Sequence, residues 1–480
     1  MKKVLVDFKF KNSRYALLAN KIKEAIKGTA FEGKIYLKGD AIRDQLIGIE
    51  RDDYELPFVI VVATPNGGIS FASWIVYKNS CMVGGQNPSI NIQKGTAKFK
   101  LNSDPDIGDI TLAARQSKKY NCVNETRTAL SIHGTIEDDA EKSGFTVDAL
   151  YYNVTTGELN DFTGYAFDDI EKGIIRATDI NCVFSEDPTN ILSAIRCSSE
   201  LGFGIEKETW FKMIAGKAKL LGLNASTVRD QINKILLSPK PSIGIRKLLY
   251  SGCLPLTLPY IYVLNTIYMG PRTSVTVFDH TMKVLDATPA TLVTRLGALL
   301  HDVGKGTTVN NGYMYHQMVG IERAKTMLET MGYSDDIVKS VSKIVEYHDD
   351  LRKFTGNQIP GYRYIKRFIE KCGDDIENVL DVIDANNKAQ EFGKKPRQVM
   401  EFRKAMVKAK EKMAATKERM DAMKSKLPID GNDIMKEFKM KPSQLVGHLL
   451  DAVKEEFKKD PTMTKDDCLS VCESTLRKIY

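Results

Sequence analysis

At 480 residues the chain exceeds what one hydrophobic core usually supports, so two or more domains are expected. Hydrophobic residues make up 42% and charged residues 27%, ordinary for a globular chain and not for a disordered one, and apolar runs such as FVIVVA at 58–63 are too short to cross a membrane. The net charge of +8 leaves nucleic acid open as a partner.

The first residues, MKKVLVDFKFK, are too charged and too briefly apolar for a signal peptide. The eight cysteines form no CxxC pair and read as reduced thiols, so a cytoplasmic protein is expected.

In chain order, KIYLKG and YELPFVIVVAT read as strands flanking an AIRDQLIG helix, and GFTVDALYYNVTTGELNDF reads as a β-hairpin turning at TTGE. From about Asp187 the pattern changes to a 3.6-residue period, as in ILSAIRCSSELGF, and stays helical nearly to Tyr480. Breaks fall near SPKPS at 238–242, MGPRTS at 269–274 and KLPIDGND at 426–433. Between Glu401 and Lys426, nine Lys or Arg face four Asp or Glu, so more than half of the net charge lies in one segment. Phe402, Met406, Met413, Met420 and Met423 recur there at amphipathic spacing. That segment is either a solvated helix with a core-facing Met stripe or a helix that also grips an RNA backbone.

Two carboxylates stand out. Asp53 and Glu55, two apart on an expected strand, would project from one face, as nucleotidyl transfer requires of residues that hold divalent metals against a triphosphate. Upstream, Gly39 follows an apolar strand and precedes a helix, where a backbone turn can approach a phosphate.

On these residues the chain resembles the bacterial tRNA nucleotidyltransferases (CCA-adding enzymes) and their poly(A) polymerase relatives. LKGDAIRDQLIG followed by DYEL is similar to the family's head motif, and GFTVDALYYNVTTGELNDF to its Arg-Arg-Asp-Phe-Thr-Ile-Asn-Ala segment and the hairpin after it. FSEDPTNILSAIRCSSELGF resembles the helix that reads the incoming base, and LPIDGNDIMKEFKMKPSQLVGHLL a C-terminal element of the family. The resemblance implies Asp53 and Glu55 as catalytic magnesium ligands and Gly39 and Arg43 near the phosphates. It also implies Glu186, Asp187, Asn190 and Arg196 as nucleotide-binding residues. Several positions depart from the pattern. Asp40 replaces a glycine where the triphosphate should pass, and Glu55 replaces an aspartate. Lys142, Ser143 and Gly144 replace Arg-Arg-Asp, and Asn190 replaces the base-reading arginine. The extra methylene of Glu55 moves its oxygens by about a bond length, and misplacement of roughly 1 Å can cost on the order of a hundredfold in rate.

The middle of the chain resembles the HD phosphohydrolase pattern that many members of this family carry. HTMKVLD, LGALLHDVGKG, YHQMVG and EYHDD place His280, His301, Asp302, His316 and His348 in order. The resemblance implies His280, His301, Asp302 and a later aspartate as metal ligands, with room left for a water that attacks a phosphoester. Asp384 in VLDVIDANNKAQ best fits that last ligand, with Asp381 as the fallback. Lys305 is expected near the phosphate, and His316 and His348 as ligands of a second metal or as phosphate contacts. His133 and His448 fall outside the cluster and read as ordinary polar contacts.

The expected fold class is α+β. A small mixed-sheet nucleotidyltransferase head with helices on one side (1–170) should be followed by an all-α neck (171–265), an HD domain (266–395) and a basic helical tail that binds RNA (396–480). Two functions remain open at this point. One is template-independent addition of CCA or A to an RNA 3′ end such as that of tRNA, with ATP and CTP as substrates and Mg2+ in the head. The other is hydrolysis of phosphomonoesters or cyclic phosphodiesters by an HD site holding Mn2+, Ni2+ or Fe2+, beside a head that is inactive or altered in specificity.

Overall fold

The computed structural model describes residues 3–6, 8–49, 58–78, 88–92, 95–101, 110–120, 131–270, 273–308, 313–352, 354, 358–390, 398–424 and 427–479. Asp53 and Glu55 lie outside the described residues. The chain divides into two compact units, Met1–Arg352 with Glu377–Lys394, and Lys353–Ile376 with Lys395–Tyr480.

The first unit begins with ten strands: β1 (Lys3–Leu5), β2 (Ile35–Lys38), β3 (Val59–Val62), β4 (Ser89–Asn91), β5 (Thr96–Leu101), β6 (Ile110–Gln116), β7 (Lys118–Tyr120), β8 (Ser131–His133), β9 (Leu150–Asn153) and β10 (Leu159–Asp161). Eight of them form one sheet in the order β1-β10-β9-β2-β3-β6-β5-β4, while β7 and β8 pair separately. The sheet is mixed because β3 runs parallel to β6 while its other pairings are antiparallel. Alternation sorts the side chains of β3. Ile60 and Val62 enter a large core with Phe58, Phe71 and the helix Ser13–Ile26, whereas Val61 faces the other side. That second face is covered too. Ile136 and Ala140 of the helix Ile136–Glu141 pack there with Val61 and Tyr151, so the head is not helical on one side only. The short helix is fixed by a reciprocal capping box between Thr135 and Asp138.

The hairpin β9–β10 turns where expected. Asn153 Oδ1 accepts the amides of Thr155 and Thr156, and Gly157 takes a positive φ of 79°. After it the unit is largely helical, with Thr189–Leu201, Ala225–Leu237 and Pro241–Tyr250 packed together, then Val277–Ala287, Leu292–Leu300, His316–Thr330, Asp335–Tyr347 and Ile376–Ala389.

In the second unit, the long helix Gln398–Lys424 buries Phe402, Met406 and Ala409, and Phe402 meets the Phe368 ring edge-on at 5.3 Å. Met413 is half-buried, so the Met stripe faces a core over the first turns. The side chains of Met420 and Met423 lie outside the described residues. The last three helices enclose a small core around Ile434, Leu449, Val453, Cys468 and Cys472. Among the described residues no helix is long and apolar enough to cross a membrane.

Candidate functional site

The first unit carries two polar centres. The one in the head begins where β2 ends. Gly39 adopts φ 143°, a conformation that admits little but glycine, and starts the helix Asp40–Ile47 without a side-chain cap. Lys38, just before it, donates to Ser143 Oγ at 2.6 Å and lies 3.6 Å from Asp139 Oδ2. Arg115 also engages Asp139 through both terminal nitrogens, and Tyr151 Oη donates to it at 2.6 Å. Burial pushes Lys38 down to about 8 despite the nearby carboxylate, because Arg115 bears on the same anion. Asp139 is buried, yet Lys38 and Arg115 hold it well below the usual carboxylate range.

Arg43, expected near a phosphate, is fully buried. It donates to Asp44 at 2.9 Å and to Asp148, and lies 3.6 Å from Asp40. The single 3-10 turn Thr146–Asp148 delivers Asp148 to it, so Arg43 ties its own helix to that turn. Arg196 pairs with Glu200 at 2.9 Å and lies 3.8 Å from Asp40. The substituted Asp40 thus faces the two arginines that the sequence assigned to the nucleotide.

Beside this cluster a cavity of about 360 Å³ is lined by Lys142, Ser143, Gly144, Asp179, Glu186, Asp187 and Asn190. Lys142 Nζ bridges Asp179 at 3.0 Å and Glu186 at 3.1 Å. Burial disfavours its charge, but those two acceptors raise it above the ordinary lysine value. Asn190 Nδ2 donates to the Val183 carbonyl at 3.1 Å. Gly144 has φ 86°, and a Cβ there would lie 3.4 Å from Asn190 Oδ1, so the wall of the cavity depends on glycine. Glu186, Asp187 and Asn190 are therefore brought to one cavity, whose lining does not include Arg43 or Arg196. Sequence spacing gave no sign of Lys38, Arg115, Asp139 or Asp179, whose partners are distant in the chain.

The second centre gathers the histidines. His280 sits on Val277–Ala287, His301 and Asp302 close the helix Leu292–Leu300, His316 opens the next long helix and His348 follows Asp335–Tyr347. Gly304 is required there because a Cβ would fall 1.9 Å from the His316 carbonyl oxygen. His301, His316 and His348 each place Nδ1 at 2.7 to 3.0 Å from a backbone carbonyl, of Ala298, Tyr313 and Val345. With Nδ1–H donated outward, each ring turns an Nε2 lone pair toward the others. Two ligand sets result, His280 with His301 and Asp302, and Asp302 with His316 and His348. Asp302 Oδ1 lies 3.7 Å from His316 Nε2 and 3.6 Å from His348 Nε2, while Lys305 Nζ sits 2.7 Å from Oδ2. Asp349 adds a carboxylate 3.7 Å from His316 Nε2.

His301 Nε2 and Asp302 Oδ1 are buried without hydrogen-bond partners, which fits a cation between them. Burial and the neighbouring His301 hold His280 down to about 4, so it is neutral and able to ligate near pH 7. Burial and His348 lower His316; burial opposes the charged form of His348, but the nearby carboxylates of Asp302 and Asp349 raise it.

Asp384, expected as the last ligand, instead pairs with Lys388 at 2.6 Å. The residue that reaches the centre is Asn386, whose Oδ1 lies 2.9 Å from His280 Nε2. Two residues along a helix turn the side chain about 200°, so Asp384 and Asn386 cannot face the same way. Of the remaining histidines, His448 is exposed and His133 Nδ1 lies 3.5 Å from Ser117 Oγ.

Family models for the poly A polymerase head domain and the HD domain match residues 35–176 and 274–353. A multifunctional CCA protein of Vibrio parahaemolyticus is 26% identical over 341 residues, 67% of this chain and 76% of that protein. One from Psychromonas ingrahamii is 24% identical over 374 residues, 75% of this chain and 82% of its own length. Over residues 35–176 and 274–353 the chain carries a poly A polymerase head domain and an HD domain, and it is similar to the multifunctional CCA proteins. The fold agrees with those matches. The CCA-adding enzyme of Bacillus stearothermophilus in complex with CTP superposes with TM-score 0.58 at 15% identity, over 97% of this chain and 99% of that one. The Thermotoga maritima CCA-adding enzyme complexed with tRNA gives 0.55 at 14% identity, over 98% and 97%. The chain therefore keeps the fold of the CCA-adding enzymes at low identity, with a dense histidine cluster.

Proposed function

We propose that the chain is a template-independent RNA 3′-end nucleotidyltransferase, adding CMP and AMP or AMP alone to a tRNA-like acceptor in the cytoplasm. The observation that carries this reading is the cavity where Glu186, Asp187 and Asn190 meet Lys142 and Ser143, beside the glycine-started helix at Gly39. Its polar walls suit a nucleoside triphosphate, ATP or CTP. Asp53 and Glu55 are the residues that would hold magnesium against the triphosphate. The basic helix Gln398–Lys424 supplies cationic side chains for an RNA backbone, recognised by shape and charge.

A second activity rests on the histidine cluster. His280, His301 and Asp302 form one ligand set for a divalent transition metal, Mn2+, Ni2+ or Fe2+, and Asp302 with His316 and His348 another. When bound, such a metal polarises a phosphoryl oxygen and acidifies water. Lys305 lies where it can neutralise the phosphate, and Asp349 is placed beside His316 to accept a proton. The internal pairing of Asp40 with Arg43 and Arg196 favours this phosphohydrolase as the alternative principal activity.

Purified protein incubated with magnesium, labelled CTP or ATP and a tRNA transcript lacking its CCA end tests the first reading. Extension should vanish in Asp53→Ala and survive in His301→Ala. Failure to extend with any nucleotide would overturn it. Metal-dependent phosphate release from nucleoside 2′,3′-cyclic phosphates, lost in His301→Ala, would then make the HD half the enzyme.

A further inference from the structure

The charges around Lys38 do not balance. The carboxylate that faces it, Asp139, lies 3.6 Å away, beyond hydrogen-bonding distance. That carboxylate is already satisfied. Its Oδ1 accepts from Arg115 Nη1 and the Lys118 amide, and its Oδ2 accepts from Arg115 Nη2 at 2.7 Å and Tyr151 Oη at 2.6 Å. Arg115 and Asp139 therefore cancel, and Lys38 is a second cation against one anion. Asp148, the other carboxylate that acts on Lys38, is held by Arg43.

Among the described residues the Lys38 ammonium makes one hydrogen bond, to Ser143 Oγ at 2.6 Å. Its side chain is only 12% exposed, and a buried ammonium with so few partners is costly. Burial pulls it down to about 8, which still leaves it charged at pH 7. Structural pairing does not explain that charge, whereas an anion arriving from outside the chain does.

The neighbours of Lys38 say where that anion sits. Ser143 lines the cavity that also holds Lys142, Glu186, Asp187 and Asn190, so the ammonium stands one hydrogen bond from the cavity wall. Lys142, the cation in the wall itself, is engaged by Asp179 and Glu186, which leaves Lys38 as the cation with an uncancelled charge. Gly39, the next residue, opens the helix Asp40–Ile47 with no side chain over the turn. Ser143 stands where the resembling head motif has an arginine, and Lys38 brings a cation to its hydroxyl from a different element.

We infer that Lys38 holds the phosphates of the incoming nucleoside triphosphate at the Ser143 side of the head cavity. This assignment rests on the transferase reading above and adds to it a binding residue that sequence spacing did not reveal. Lys38 binds the anion and takes no part in bond making.

The test measures equilibrium binding of labelled ATP and CTP, with magnesium, to the full chain carrying Asp302→Asn, which silences the histidine centre. Lys38→Met keeps the stem and removes the charge, and urea unfolding checks that the variant is folded. A hydrogen bond to a charged group is strong enough that both affinities should fall on the order of tenfold or more. Inorganic triphosphate, as a competitor, should lose the same factor, and the ratio of ATP to CTP affinity should stay fixed, because phosphates and not bases are held. Lys38→Arg should recover most of the loss. Equal affinities in Lys38→Met and its parent overturn the assignment, as does a changed ATP-to-CTP ratio. A loss that Lys38→Arg does not recover would give Lys38 a packing role, and a loss confined to binding of a tRNA transcript would put an RNA phosphate there; either overturns it. A parent that binds neither nucleotide removes the transferase reading and the role of Lys38 with it. A parent that binds both, beside a Lys38→Met variant that binds them equally well, sinks the role of Lys38 alone.

Discussion

The carboxylate of Asp40 stands 3.8 Å from Arg196, and 3.6 Å from Arg43 on its other side. Asp148, paired with Arg43, completes an internal set of anions around two arginines. Burial pushes Asp148 up and Arg43 pulls it down, with Asp40 adding repulsion, and the net direction is upward. A triphosphate approaching Gly39 meets this negative charge at close range. Asp40→Gly should strengthen ATP and CTP binding by about fivefold, roughly 1 kcal/mol, read by equilibrium binding of labelled nucleotide. It should also cost up to about 1 kcal/mol of stability, because an acidic residue in the first helical turn favours the helix dipole. Unchanged or weaker affinity would mean that the nucleotide does not pass this turn.

Asn386 reaches His280 with a neutral amide oxygen, which binds a divalent cation less strongly than a carboxylate would. Asn386→Asp should therefore raise metal affinity by about tenfold, the usual scale of a change next to a metal ligand. Asp384→Asn should leave it unchanged, since Asp384 is occupied by Lys388. Competition against a chromophoric chelator measures both. A loss of affinity in Asp384→Asn with none gained in Asn386→Asp would restore Asp384 as the ligand.

The contrast between these two residues marks what the sequence could reveal. The strands at Ile35–Lys38 and Val59–Val62, the Thr155–Gly157 turn and the change to helices after Asp187 were legible, because each is written in neighbouring residues. So was the gathering of His280, His301, His316 and His348, since histidine is scarce and these fall in order between helical segments. What remained hidden depends on long-range geometry. The motif pointed to Asp384, but helix rotation hands the cluster face to Asn386. Arg43 lies in a phosphate-binding pattern, yet Asp148, over a hundred residues on, takes its charge. Likewise the union of Lys38, Arg115 and Asp139 joins a strand end, another strand and a short helix.

A bound metal should stabilise the folded chain, because the histidine centre is assembled only on folding. At free metal a hundredfold above its Kd the gain is about 2.7 kcal/mol. Chelation should lower the melting temperature by several degrees, and added Mn2+ or Ni2+ should restore it. His301→Ala should melt at the same temperature with or without metal. A melting temperature indifferent to chelation in the wild type would argue that the orphaned Asp302 Oδ1 is served by water instead.

Lys38 gives the head a pH dependence whose sign is fixed by its burial. Its folded value is pushed down to about 8 from an ordinary 10.5. Below pH 8 the lysine is charged in both states, and the folded protein carries the full cost of holding that charge away from water. Between pH 8 and 10.5 the folded lysine is neutral while the unfolded one still binds its proton. The unfolded state then holds more protons, so this group's contribution to stability rises with pH across that window. Lys38→Met removes the effect. The stability of wild type relative to Lys38→Met should climb from pH 8 to 10.5 by up to about 3 kcal/mol, at roughly 1.4 kcal/mol per unit. Urea unfolding of both proteins at several pH values measures the difference, in which the titration of other lysines cancels. A flat difference would show that Asp139 keeps Lys38 charged throughout, with Arg115 unable to offset the pair.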